Sequence, residues 1–246
     1  MPSACFRRML MSALAGLALV LSHVAVAGEL TDAVSANDPV RVNLLLSAGA
    51  DVNEPSRFGM PIHVASGLGA LAIIEALIVG GADIEAEGRA GAHPLHPAAT
   101  KNQPDAVTLL IEHGAKVDSR DRFGFTPFMA ALAFPPEGFD AAEVLLESGA
   151  DPNAQDKADQ LTALHWAAGR GRLEVARFLL AKGAAINFRG GSGGTPLQEA
   201  VWRRRMEMIG FLVANGADVH AANRAGDTPM DLARGNAEVL QLLQIP

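Results

Sequence analysis

The sequence predicts an all-α repeat solenoid, and three observations carry that expectation. Six related segments recur along the chain: LLSAGADVN (45–53), LIVGGADIE (77–85), LIEHGAKVD (110–118), LLESGADPN (145–153), LLAKGAAIN (179–187) and LVANGADVH (212–220). Their glycines, Gly49, Gly81, Gly114, Gly149, Gly183 and Gly216, are spaced 32, 33, 35, 34 and 33 residues apart. A second motif follows each of them: MPIHVA (60–65), HPLHPAA (93–99), TPFMAA (126–131), TALHWAA (162–168), TPLQEA (195–200) and TPMDLA (228–233). A fixed period of this length marks supersecondary units that bury their faces only by stacking. The composition agrees. The chain is 49% hydrophobic but only 5% aromatic, with no Tyr and 25 Gly among its 246 residues, which suits closely stacked helices.

The first 27 residues stand outside the repeats. Arg7 and Arg8 form a positive start, Leu10–Val26 is almost wholly apolar, and Ala25-Val26-Ala27 fits a small-x-small cleavage site. The expectation is a cleavable export signal at 1–27, a mature chain from Gly28, and no membrane insertion after cleavage. The only cysteine, Cys5, lies in that segment, so the mature chain has neither a thiol nor a disulfide. Without the two arginines of residues 1–27 it carries 18 Lys and Arg against 27 Asp and Glu, a formal charge of −9 rather than −7. That balance argues against nucleic acid as a partner.

Within each unit the residue types explain a helix pair. Thr126, Thr162, Thr195 and Thr228 stand where a hydroxyl can accept from first-turn amides. Pro61, Pro94, Pro127, Pro196 and Pro229 follow at the first helical position, where the missing N–H costs nothing. The alanine pair allows close approach, the leucine pair fills the space between helices, and each periodic Gly closes the second helix. Met60 and His93 replace the capping Thr, at a cost on the order of 1 kcal/mol each. Pro97 also removes an early backbone bond. The first two repeats are therefore expected to be the softer part of the array.

These motifs resemble the ankyrin-repeat family. TALHWAAGRGRLEVARFLLAKGAAIN (162–187) is close to its consensus, and the likeness spans the whole mature chain. It implies stacked helix-turn-helix repeats with β-hairpin-like finger loops. Residues 28–55 would form an N-terminal cap, 56–221 about five repeats and 222–246 a C-terminal cap. It also gives His63, His96 and His165 a structural role, bonding turn backbone and linking neighbouring repeats. That role, rather than a metal site at His93 and His96, is expected, since no third ligand lies nearby in sequence.

The resemblance places partners on a concave face built from finger residues and first-helix ends. The finger positions are Phe58, Arg89, Arg122, Phe123, Phe125, Leu161 and Arg224; the helix positions are Leu68, Lys101, Phe134, Arg170, Trp202 and Arg203. Aromatic and Arg side chains are common binding anchors. Residues 130–146 carry a two-residue insertion with Pro135-Pro136, its phenylalanines Phe134 and Phe139 either folded back or presented to a partner.

No hydrolase, metalloprotease, phosphate-loop or dinucleotide motif appears, and the acids sit singly in turns. The expectation is a non-catalytic protein–protein interaction module, without cofactor or metal. It would be monomeric when unbound and act in the periplasm of a Gram-negative bacterium. Small exported ankyrin proteins of similar kind suggest two roles: neutralising a secreted toxic effector, or accompanying a periplasmic enzyme such as a catalase.

Overall fold

A computed structural model describes residues 28–56, 59–133 and 138–244. The expected export signal lies outside these. The described residues form seven short helix pairs. The first pair is α1 (28–35) with α2 (Pro39–Ser47). Next come α3 (Pro61–Leu68) with α4 (Leu71–Val79), and α5 (Leu95–Thr100) with α6 (Pro104–Glu112). Then α7 (Pro127–Ala133) pairs with α8 (Asp140–Glu147), and α9 (Ala163–Arg170) with α10 (Leu173–Ala181). The array closes with α11 (Pro196–Trp202) and α12 (Met206–Ala214), then α13 (Pro229–Leu232) and α14 (Ala237–Leu243).

None of these helices reaches the dozen or so residues needed for stability alone in water, so packing must hold them. The first helices α3, α5, α7, α9, α11 and α13 stack in one layer. The second helices form the layer behind. Motif residues Ile62, Leu95, Phe128, Leu164 and Leu197 are fully buried between the layers, as are Leu77, Leu110, Leu145, Leu179 and Leu212 from the leucine pairs. Each such side chain contributes roughly 1.5–3 kcal/mol by leaving water. Ala65, Ala98, Ala168 and Ala200 are equally buried and let the helices close up.

The helix starts follow the capping chemistry unevenly. Thr195 accepts from the Gln198 amide, and Gln198 accepts in return from the Thr195 amide at 3.0 Å. Met60 offers no such cap, and the Nδ1 of His63 is buried with no hydrogen-bond partner among the described residues. In the next repeat the regular helix begins at Leu95, one residue after Pro94, which is itself helical in φ and ψ. The periodic glycines that end the second helices, Gly49 to Gly216, all have φ between 88° and 97°.

The Gly-Ala-Asp-Val-Asn turn is explained by two bonds. The Asp carboxylate accepts from the amide two residues on, as Asp51 does from Asn53 and Asp151 from Asn153. The Asn side chain then accepts from the matching turn of the next repeat: Asn53 from Asp83, Asn153 from Ala185, Asn187 from Asp218. These aspartates are thus turn-formers, and the asparagines connect the repeats.

Between helix pairs the chain makes a finger closed by a main-chain bond: Gly88 to Ala92, Asp121 to Phe125, Asp156 to Leu161, Gly190 to Gly194 and Asn223 to Asp227. The third finger is one residue longer, which accounts for the 34-residue spacing between Gly149 and Gly183. Adjacent fingers join through single bonds, such as Arg122 N–H to the Ala90 carbonyl at 2.9 Å and Lys157 N–H to Phe123 at 2.8 Å. No continuous strand forms among the described residues; the fingers remain hairpin-like turns.

The insertion loosens one step of the stack. α7 and α9 meet less extensively than α5 with α7 or α9 with α11. Phe139 folds back there and stacks on Phe178, ring centroids 4.5 Å apart and 7° from parallel. Phe134 lies outside the described residues.

Candidate binding face

The motif position after the TPLH-like tetrad and the position four residues later lie on one helix face, so they project together. These positions are Val64 and Leu68 on α3, Trp166 and Arg170 on α9, and Glu199 on α11 followed by Arg203. In α5 they are Pro97, followed by Lys101 just past its end. With the fingers these side chains line two adjoining grooves. The first, about 710 Å³, is largely apolar and includes Leu68, Pro97, Lys101, Phe123, Phe125 and Arg170. The second, about 750 Å³, includes Asp159, Leu161, Trp166, Arg170, Glu199, Trp202, Arg203, Arg205 and Arg224. Arg170 borders both.

Nine of the thirteen partner-face positions expected from the sequence therefore line a groove. Arg89 and Arg122 are exposed on the fingers but line neither. Phe58 and Phe134 fall outside the described residues. Leu68, Phe123 and Trp202 are exposed by 47%, 61% and 64%, a placement that leaves apolar surface in water.

The residues missing from that expectation are Trp166, Glu199, Asp159 and Arg205. Trp166 and Glu199 were findable: each occupies the fifth motif position, four residues before a position already included. Trp166 organises the centre of the face. Its indole N–H donates to the Asp156 carboxylate at 2.9 Å, its ring leans on Phe125 with centroids 6.0 Å apart, and the Arg170 guanidinium lies 4.7 Å above it. Arg203 covers Trp202 in the same way at 4.4 Å. Stacking of this kind holds a guanidinium plane in place; Arg170 donates from one edge to the Ala133 carbonyl at 3.4 Å, which leaves its other N–H groups for a ligand. Burial pushes the Glu199 carboxyl above its ordinary range; Arg203 pulls it down and Asp159 adds to the rise.

Behind the face, the fourth motif residue links repeats. The carbonyls it meets can only accept, so each contacting ring nitrogen carries the proton. His63 donates to Ala92 at 2.8 Å, His96 to Phe125 at 3.0 Å and His165 to Gly194 at 3.1 Å. Gln198 makes the equivalent bond to Asp227 at 2.7 Å. His96 also accepts from the His93 amide on Nδ1, so both its ring nitrogens are engaged by protein. His93 turns its Nδ1 to the Glu85 carbonyl at 3.0 Å. Thr126, Thr195 and Thr228 each accept from the third residue of their helix, while Thr162 contacts the His165 ring.

A continuous stack of helix pairs with grooves along its first helices and fingers defines a helical-repeat solenoid. Family profiles described as ankyrin repeats match residues 30–121, 62–156, 128–223 and 203–244, so the chain belongs to the ankyrin-repeat family. Among curated relatives, ankyrin repeat protein nuc-2 of Neurospora crassa is 34% identical over 65% of this chain and 14% of its own length. The B-cell lymphoma 3 protein homolog of Mus musculus is 33% identical over 66% of this chain and 37% of its own. The chain thus spans well under half of these relatives. The crystal structure of the ankyrin repeat domain of Bcl-3, a unique member of the IkappaB protein family, superposes with a TM-score of 0.77 at 26% identity, covering 88% of this chain and 98% of that one. Ankyrin repeats generally mediate binding to other proteins and are typically non-catalytic.

Proposed function

We propose that the chain is a non-catalytic protein-binding module of the bacterial cell envelope, gripping its partner through the two adjoining grooves. One observation carries this reading. Phe123, Phe125, Trp202, Arg170, Arg203 and Arg224 come from four separate segments of the array yet converge on one face, while Leu, Ile and Ala dominate the interior. Buried aromatic and Arg anchors are what dominate binding energy in protein interfaces. A face fixed by stacked repeats also loses little conformational freedom on docking.

The envelope location rests on the sequence of residues 1–27, read as a secretory signal that releases a monomer into the periplasm. Two roles fit there: neutralising a secreted toxic effector, or accompanying a resident enzyme such as a catalase. The partner's nature separates them. A pull-down from periplasmic extract, repeated with Phe125→Ala and Trp202→Ala, tests the face. Loss of the same partner from both variants supports it, and retention by both contradicts it. Recovery of the protein only with cytoplasmic markers would contradict the location, and substrate turnover the non-catalytic role.

A further inference from the structure

The second groove gathers positive charge on an acidic chain. Arg170, Arg203, Arg205 and Arg224 line it, and none of them is ion-paired among the described residues. Arg204, beside them, holds φ at 54°, left-handed backbone where the matching turns of other repeats place Gly69, Asn102 and Gly171. A residue with a side chain is strained in that conformation. A charge thus sits where backbone geometry favours glycine.

The two grooves differ in what they would accept. The first offers Leu68, Phe123 and Phe125; the second offers guanidinium groups. We infer that the occupant of this face is an extended segment of the partner that places an apolar side chain in the first groove and acidic side chains in the second. This rests on the protein-binding reading above and specifies its ligand. Guanidinium groups oriented by Trp166 and Trp202 suit carboxylates, which they can meet with two parallel bonds. Glu199 and Asp159, in the same lining, oppose a continuous polyanion but can accept from main-chain N–H groups of an extended segment.

Selection of random dodecapeptides on the immobilised protein, followed by fluorescence anisotropy of the selected sequences, tests this. The expected peptides combine a large apolar residue with two or more Asp or Glu. Changing those acids to amides, or combining Arg203→Gln with Arg224→Gln in the protein, should weaken binding about tenfold or more, with marked salt sensitivity. Both arginines are exposed, so circular dichroism of the double variant should match the parent. Neutral or basic peptides that still require Phe125 and Trp202 would overturn the acidic occupant but leave the binding face standing. Peptides indifferent to all four substitutions would overturn both. A single-stranded oligonucleotide bound more tightly than any peptide, and lost in the arginine variant, would overturn the inference in favour of nucleic acid. So would the absence of any selected peptide.

Discussion

The ring of His165 reaches from the start of α9 to the next finger and donates to the Gly194 carbonyl at 3.1 Å, while its other nitrogen accepts from the Thr162 amide at 3.2 Å. One repeat later Gln198 does both jobs, with its amide N–H on Asp227 and its oxygen on the Thr195 amide. The position therefore needs one acceptor and one donor rather than imidazole as such. His165→Gln is expected to keep nearly full stability. His165→Leu, which leaves buried polar groups unpaired, should cost about 2 kcal/mol in urea unfolding. Equal losses in the two variants would contradict this.

Acidification should weaken the stack. Burial lowers the pKa of His63, His96 and His165 from the ordinary 6.5, despite the carbonyl bonds that favour the charged ring. The unfolded chain takes up protons near 6.5, whereas the folded chain resists until lower pH. The stabilisation is complete above about pH 6.5 and declines as pH falls from there towards the folded-state values. Asp118 and Glu199, whose pKa values burial raises, act in the opposite sense in the carboxylate range. The urea midpoint should fall between about pH 7 and pH 5, less steeply in His165→Gln. A flat profile over that range would contradict the account.

Arg204 should be more stable as glycine. With φ at 54° on an exposed turn, Arg204→Gly is expected to raise stability by up to about 1 kcal/mol. The reverse holds at Gly124, where φ is 82° and an added Cβ would lie 2.6 Å from the Lys157 nitrogen that bonds the Phe123 carbonyl. Gly124→Ala should lower the melting temperature more than Gly183→Ala, where φ is 88° but the space is open. A destabilised Arg204→Gly, or the opposite order of the two alanine variants, would contradict the backbone argument.

The last carbonyls of α7 accept from arginines of the following repeat. Arg172 donates to Leu132 at 3.1 Å and to Ala133 at 2.7 Å, much as Arg205 donates to Gly169 at the end of α9. Arg172→Met, which keeps the stem and removes the donors, should cost about 1–2 kcal/mol. Faster amide exchange across α7 and α8 than in the parent should accompany it. Unchanged exchange would contradict a holding role for Arg172 at this step.

The fold was legible because its signal is repeated. A lone Thr-Pro-Leu-His proves little, but six copies in register identify core, cap and turn together. The binding face was legible only in part. Finger residues and first-helix ends pointed to Phe123, Phe125, Arg170 and Trp202, while Trp166 and Glu199, one turn earlier on the same helices, were passed over. A half-buried helix face serves packing and binding at once, and only the stack shows which side chains remain open. Arg172 shows the same limit: its partners lie forty residues back, beyond any local pattern.

If the proposed function holds, a partner docks on the grooves and not on the outer layer. A photocrosslinking residue at Trp202, and another at Val79 of α4, which is 88% exposed and lines neither groove, can be compared in the native cell. Position 202 should yield a defined crosslinked partner and position 79 none. The same partner captured from position 79 alone would contradict it.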